Sequence, residues 1–342
     1  MHWRDFRAAG HEGPWQGLDW RAERADLGAG APVFRVCANR RRMRVECAGE
    51  PVLWAHTHDQ HFGLWRLLSR RSSSWAVVPS VTSGDVRAID APPHSEAWWR
   101  AWARWFAREL VASPRTPLHA GRWALTPARP SGLPSPALPA LSPLPWLGLS
   151  VRGGWDKVYD VAACLDAPTL EWASWGINGN GGLVRTRAST PAEGSRPRAY
   201  AKQARDGTLA PLLVQYVSGL DLYLLLDGHD RLRAALFEGA PVSLLVLWRV
   251  RHAERTAEQV EAWRADALQS IVRHGLPGEG PGAARDVDRQ NRLLVGAFDD
   301  ELLSTKTSAW PLVGGRERWE REVIAEGVPP DHGLLRGAGK AG

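Results

Sequence analysis

The chain has 342 residues, 44% of them hydrophobic and 23% charged, which suffices to bury one large core or several modest ones and excludes disorder as the main state. No run reaches the roughly eighteen consecutive apolar residues of a spanning helix, and the opening Met1-His2-Trp3-Arg4-Asp5 lacks the apolar block of a secretory signal. The expectation is a soluble, non-exported, cytoplasmic protein without a membrane partner. Cys37, Cys47 and Cys164 are odd in number and lack paired C-x-x-C spacing, so they read as buried thiols in a reducing compartment rather than as a disulfide framework.

The formal charge of +6 is unevenly placed: residues 1–150 carry 19 Arg and Lys against 12 Asp and Glu, and residues 151–342 carry 24 against 25. The densest basic cluster, Arg40, Arg41, Arg42 and Arg44, lies in an alternating stretch from Val33 to Cys47. It reads as the solvent face of a strand pair, with a phosphate-contacting patch as the alternative. His56, His58 and His61, with Asp59 beside them, offer either a divalent-metal cluster or a polar turn.

Tryptophan concentrates early, with 15 of 19 before residue 176. Ser95 to Val111 predicts a helix capped by Ser95, in which Trp98, Trp102, Trp105, Phe106 and Leu110 form an apolar stripe and Trp99 falls off it. A stripe of this kind belongs to a core more readily than to a stacking platform for bases or sugars. These elements make residues 1–125 a Trp-rich basic region.

From Pro127 to Pro145 prolines recur too densely for a helix or a central strand, which predicts a linker or wrapping segment over 126–146. Gly176 to Gly182 supplies backbone freedom without a phosphate fingerprint. Further on, Pro197 to Asp206 predicts a polar helix and Leu209 to Val217 a buried strand. Leu222 to Leu226 reads as a second strand, Leu232 to Phe237 as a helix stopped by Gly239, and Pro241 to Trp248 as a third strand. Thr256 and Gln259 form a capping box for a helix that ends before the Gly275–Gly282 stretch. One more helical pattern spans Gln290–Leu303, so that 251–342 reads as a helical extension.

Asp227-Gly228-His229-Asp230-Arg231 carries the chemistry. A glycine at a strand end permits a sharp turn, and the helix that follows opens with unpaired N–H groups and a positive dipole end suited to an anion. Arg231, expected as an exposed first-turn residue, adds a planar donor fork for phosphate, with Asp230 and Arg233 on the same turn. Asp227 braces the turn or holds a metal, and His229 hydrogen-bonds the ligand or moves a proton near neutral pH. The alternative is that Asp227 caps the helix and Arg231 pairs with an acidic neighbour.

At these residues the chain resembles the ParB/sulfiredoxin superfamily. The resemblance covers about 180–250 and implies an α/β (α+β) fold with a ParB/sulfiredoxin-like domain over 147–250. In that superfamily a D-G-H-H-R or G-E-R-R box opens the phosphate-binding helix. His229 stands where sulfiredoxins carry their catalytic cysteine, which argues against sulfinic-acid reduction. Only Arg231 keeps the last residue of the partition-protein box, which puts a CTP switch in doubt. The closest form is D-G-H-H-R, found in free serine kinases and in nuclease-like relatives, with Asp230 replacing the second histidine. The resemblance implies a nucleotide of the ATP, ADP or CTP class, with Mg2+ on Asp227. Gly228, Asp230, Arg231 and Arg233 would bind it, and His229, Asp227 and Glu193 would be the catalytic residues of a phosphotransferase or hydrolase. The other expectations are a DNA-associated module using the basic N-terminal part, and a non-catalytic protein that retains the fold and binds a protein partner.

Overall fold

The structure is a computed structural model that describes residues 2–7, 13–23, 31–58, 63–70, 76–136, 138, 157–174, 182–187, 194–254, 256–274 and 301–336. In chain order the strands are β1 (Trp3–Arg7), β2 (Trp15–Ala22), β3 (Phe34–Asn39), β4 (Arg42–Cys47), β5 (Glu50–Thr57), β6 (Gly63–Leu68), β7 (Gly121–Pro130), β8 (Lys157–Val158), β9 (Leu170–Ser174), β10 (Gly182–Arg185), β11 (Leu212–Val217), β12 (Leu222–Asp227), β13 (Leu244–Glu254), β14 (Glu301–Thr305) and β15 (Ala309–Pro311). The helices are α1 (Ser83–Ala88), α2 (Glu96–Ala112), α3 (Ser195–Arg205), α4 (His229–Glu238), α5 (Ala257–His274), α6 (Gly315–Ala325) and α7 (Gly333–Arg336).

The fold is mixed α/β and is built on two sheets. One runs β1-β2-β7-β13-β11-β12-β10, with β14 continuing along the edge of β13 and β8 along β7; the other runs β15-β3-β4-β5-β6-β9. Alternation along the central strands of the first sheet divides its two faces. Leu222, Leu224 and Leu226 of β12 and Leu245 and Leu247 of β13 join a core shared with the second sheet and α2. Tyr223, Leu225, Leu244, Val246 and Trp248 face the opposite way, onto Tyr200 and Ala204 of α3 and Leu232 and Ala235 of α4. Burial on both faces is why β12 reads as an almost unbroken apolar run. A third core lies beyond the second sheet, where Trp54, Trp65 and Leu67 meet Trp319, Val323, Leu334 and Leu335 of α6 and α7.

The predicted helices and strands around Pro197–Trp248 appear as α3, β11, β12, α4 and β13, with Gly239 in the left-handed region at φ +63° as the C-cap. Ser95 caps α2 through the Trp98 N–H at 3.2 Å, and Thr256 and Gln259 form the expected reciprocal box.

Four expectations are corrected. First, Pro127 and Pro130 lie within β7, and position 126 falls inside that strand. Its antiparallel ladder with β2 ends at Leu18–Leu125, so Pro127 sits where β7 has shed that neighbour, and Pro130 is the last residue of the strand, in a two-residue parallel pairing with β8. Second, Trp99 is fully buried although it lies off the stripe, because α2 is packed against β2 and β7 in the shared core. Third, Leu302 and Leu303 belong to β14, not to a helix; residues 290–300 lie outside the described residues. Fourth, the tail is not helical throughout, since β15 extends the second sheet in parallel with β3 while α6 and α7 cover its outer face.

That last packing also corrects the reading of the arginine cluster. Arg40 and Arg41 are exposed, but Arg42 donates to Glu320 at 2.9 Å, and Arg44, 3% exposed, lies between Glu46 and Glu322 of α6. The outward face of β4 is a docking surface for the tail, not a solvated one.

Candidate functional site

The β12–α4 junction is held by close packing. Gly228 ends the strand at φ +103°, and a Cβ there would lie 2.6 Å from Leu212 Cδ2 and 3.1 Å from Arg231 Nη2, so both conformation and space demand glycine. Among the described residues no side chain caps α4, whose first-turn N–H groups have no acceptor within the helix. Parallel pairing of β10 with β12 brings the end of β10 beside this turn.

His229, on the first turn, is wholly buried. Its Nε2 accepts the Thr186 backbone N–H at 3.3 Å, while the Thr186 hydroxyl donates to the Leu225 carbonyl at 2.5 Å. With Nε2 accepting, the proton of the neutral ring resides on Nδ1, and Nδ1 has no hydrogen-bond partner among the described residues. Burial, followed by the positive charges of Arg187, Arg231 and Arg185, holds the imidazole well below its ordinary pKa. The expected titration near neutral pH is therefore corrected: His229 is neutral there and presents a fixed N–H donor.

Arg231 is also buried, at 1% exposure, contrary to the exposed position expected of it. Its Nη2 donates to Asp227 Oδ2 at 2.8 Å and to the Pro211 carbonyl at 3.0 Å, and its guanidinium lies 5.9 Å from the centre of the Tyr200 ring. These contacts fasten the start of α4 to the end of β12, to the residue before β11 and to α3. Arg231 Nε is buried without a hydrogen-bond partner among the described residues. Asp230 is buried, 4.0 Å from Arg233, whose side chain is one-third exposed.

The junction thus brings Asp227, Gly228, His229, Asp230, Arg231 and Arg233 together. Glu193 lies outside the described residues, as do Asp59 and His61 of the histidine cluster. Asp227 was expected to hold Mg2+, but its carboxylate is 4% exposed and engaged by a guanidinium, a donor set that does not fit a protein-held cation. No group of three or more His, Cys, Asp or Glu that could hold a metal occurs among the described residues. His56 instead bonds through Nδ1 to the Leu334 carbonyl at 2.6 Å and meets Trp319 edge-on, fixing α7 and α6 to β5.

Thr186, Leu225, Pro211 and Tyr200 complete the site, and no local signal in the sequence marked them. They reach it through strand pairing and helix packing from positions 20 to 43 residues away from those they contact. Cys37, Cys47 and Cys164 are free and buried. Burial pushes the Cys47 thiol up to about 11 and the Cys164 thiol up to about 12, so both are unreactive small apolar groups.

Compared with models of protein families, with curated proteins and with solved structures, the chain matches none.

Proposed function

We propose that this chain is a ParB/sulfiredoxin-like protein that binds a phosphorylated small molecule, with a nucleotide of the ATP, ADP or CTP class as the first candidate, at the first turn of α4. The observation that carries this reading is the buried Nδ1–H of His229, without a partner among the described residues, beside a helix start that none of their side chains caps. A buried donor left unmade costs about 1–3 kcal/mol, and a phosphate oxygen is a natural acceptor at that place. The surrounding guanidiniums of Arg185, Arg187 and Arg231 favour an anion there for the same reason that they keep His229 neutral. The order α3, β11–β12 hairpin, Gly228 box, α4, Gly239 and β13 supports the superfamily reading.

His229 and the first-turn N–H groups bind phosphate in this reading, while Arg231 and Asp227 position the turn. Because His229 is fully covered in the free chain, ligand entry needs a local opening, which predicts association below the usual range of about 10⁵–10⁷ M⁻¹s⁻¹. The second reading is binding without turnover. It is favoured by the pairing of Asp227 with Arg231, which engages the carboxylate that phosphoryl transfer would draw on. A DNA-associated role for the N-terminal region is less well supported, since Arg4, Arg7, Arg35, Arg42, Arg44 and Arg66 all lie in ion pairs.

Thermal unfolding with ATP, ADP, CTP or inorganic phosphate, each with and without Mg2+, tests the proposal. A true ligand at a hundredfold excess over its Kd stabilises the fold by about 2.7 kcal/mol. No shift with any of them would remove the phosphate reading.

A further inference from the structure

Away from that site, β13 carries two arginines on one face of the strand, Arg249 and Arg251, about 7 Å apart near the end of the first sheet. Arg249 is half-buried and fixed in place. Its guanidinium lies 5.8 Å from the centre of the Trp123 ring and against Gly121, where a Cβ would overlap it. It donates to the Arg122 carbonyl at 2.9 Å, to the Val250 carbonyl and to the Ala120 carbonyl at 3.4 Å, and its Nε is buried without an acceptor among the described residues. Carbonyls orient this cation without neutralising it. Arg251 is exposed, and its side chain makes neither a hydrogen bond nor an ion pair among the described residues. Burial, and then the charge of Arg251, hold Arg249 below its ordinary pKa, with no carboxylate among the described residues acting against them. His119 stands beside both arginines, its ring centre 5.2 Å from that of Trp123 and 5.3 Å from that of Trp310. Its Nδ1 donates to the Ala120 carbonyl at 3.1 Å; burial first, and with it the charges of Arg249 and Arg251, lower its pKa to about 4.

We propose that Arg249 and Arg251 form a second anion site, which takes one doubly charged oxyanion, the phosphate or sulfate group of a small molecule, beside His119. Two guanidiniums without a carboxylate match a dianion in charge, whereas a carboxylate ligand would leave one of them uncompensated. Arg249 offers its remaining Nη2–H and Arg251 its whole donor fork, and alternate residues of a strand share one face, so both reach a single tetrahedral group. The buried Trp123 ring against Arg249 lowers the local dielectric and strengthens the attraction. The charged groups that act on His119 are Arg249 and Arg251 of β13, and the rings of Trp123 on β7 and Trp310 on β15 pack against it. A dianion offsets the two charges that keep this ring neutral, so the bound state takes up a proton at a pH where the free state does not.

NMR of the histidine rings tests the proposal by titration with sulfate, which stays doubly charged between pH 7 and 5, at constant ionic strength, with acetate as the singly charged control. The His119 signals are assigned by their absence from His119→Gln. Sulfate is expected to move them saturably, and its Kd to fall by about 2- to 50-fold from pH 7 to pH 5, the range that follows if the bound dianion raises the His119 pKa by about 1–3. In His119→Gln, with binding followed by calorimetry, this pH dependence is expected to shrink. Arg251→Met, changed at an exposed position, is expected to weaken sulfate binding by about 10- to 150-fold. Circular dichroism establishes that each variant is folded at both pH values. The His119 response is expected to be unchanged in His229→Asn, so this site and the His229 junction stand or fall separately. No saturable movement of the His119 signals, an equal response to acetate, or indifference to Arg251→Met would each overturn the proposal.

Discussion

Arg231 of α4 and Asp227 of β12 form a buried ion pair, with Nη2 2.8 Å from Oδ2 and side chains 1% and 4% exposed. The pair ties the first turn of a helix to the end of the strand that feeds it, and its second bond, to the Pro211 carbonyl, adds β11 to the same anchor. Removing one member of a buried pair leaves an uncompensated charge, at a cost of about 3–5 kcal/mol, whereas replacing both by apolar groups is often neutral. Arg231→Met is therefore expected to lose about that much stability in urea unfolding, and the double variant Arg231→Met/Asp227→Leu to regain most of it. A single variant within 1 kcal/mol of wild type, on the order of a surface pair, would show that the pair is not a structural anchor.

A second prediction concerns pH. His229, His119 and His56 are all held below the ordinary imidazole value, in each case chiefly by burial, with His119 lowered to about 4. An unfolded histidine takes up its proton near 6.5, so between that value and the lower folded pKa the unfolded chain binds more protons than the native one. Stability from these groups is complete above pH 6.5 and is lost as pH falls below it. For the fully buried His229 the loss is about 1.4 kcal/mol per pH unit. Urea midpoints followed from pH 7.5 to 5 should fall more gently in His229→Asn than in wild type. Parallel curves would place His229 in a solvated setting.

The third prediction tests the attachment of the tail. Glu322 of α6 accepts from Arg44 at 2.7 Å, from Trp54 Nε1 at 3.0 Å and from Arg318 at 2.9 Å. Burial, the largest single influence, would raise its pKa, but the Trp54 and Arg44 hydrogen bonds, the charge of Arg44 and the Arg318 hydrogen bond together hold it below the ordinary carboxylate value. Glu322→Ala leaves Arg44 with Glu46 and the Trp54 indole without an acceptor. The expected result is a loss of about 2–4 kcal/mol and faster proteolytic cleavage near α6. Unchanged stability and cleavage would mean that apolar packing of Trp319 and Val323 holds α6 without the ion pairs.

How much of this was legible beforehand depended on the range of the interaction. The Ser95 cap, the Thr256–Gln259 box, the stop at Gly239 and the Gly228 turn are set by neighbours within a few residues, and the sequence displays them directly. Whether Arg42 and Arg44 face water depended on Glu320 and Glu322, almost three hundred residues away, and periodicity within β4 cannot register such a partner. The same holds for Arg231: its place on the first turn was readable, but its burial follows from Pro211 and Tyr200 closing over it. Proline density argues against a central strand only where both ladders are complete: β2 leaves β7 before Pro127, and Pro130 is the last residue of β7, against the two-residue strand β8.

The proposed contact between the His229 Nδ1–H and a phosphate at the start of α4 is open to nitrogen-15 NMR of the histidine rings. In protein labelled at its histidines, with the His229 signals assigned by their absence from His229→Asn, the free chain should show Nδ1 protonated and Nε2 as an unprotonated acceptor at pH 7. Titration with the nucleotide or phosphate that stabilises the fold should then move the Nδ1–H resonance downfield while Nε2 stays unprotonated. A free ring protonated on Nε2, or a ring whose signals do not move while the ligand binds, would show that His229 does not hold the phosphate.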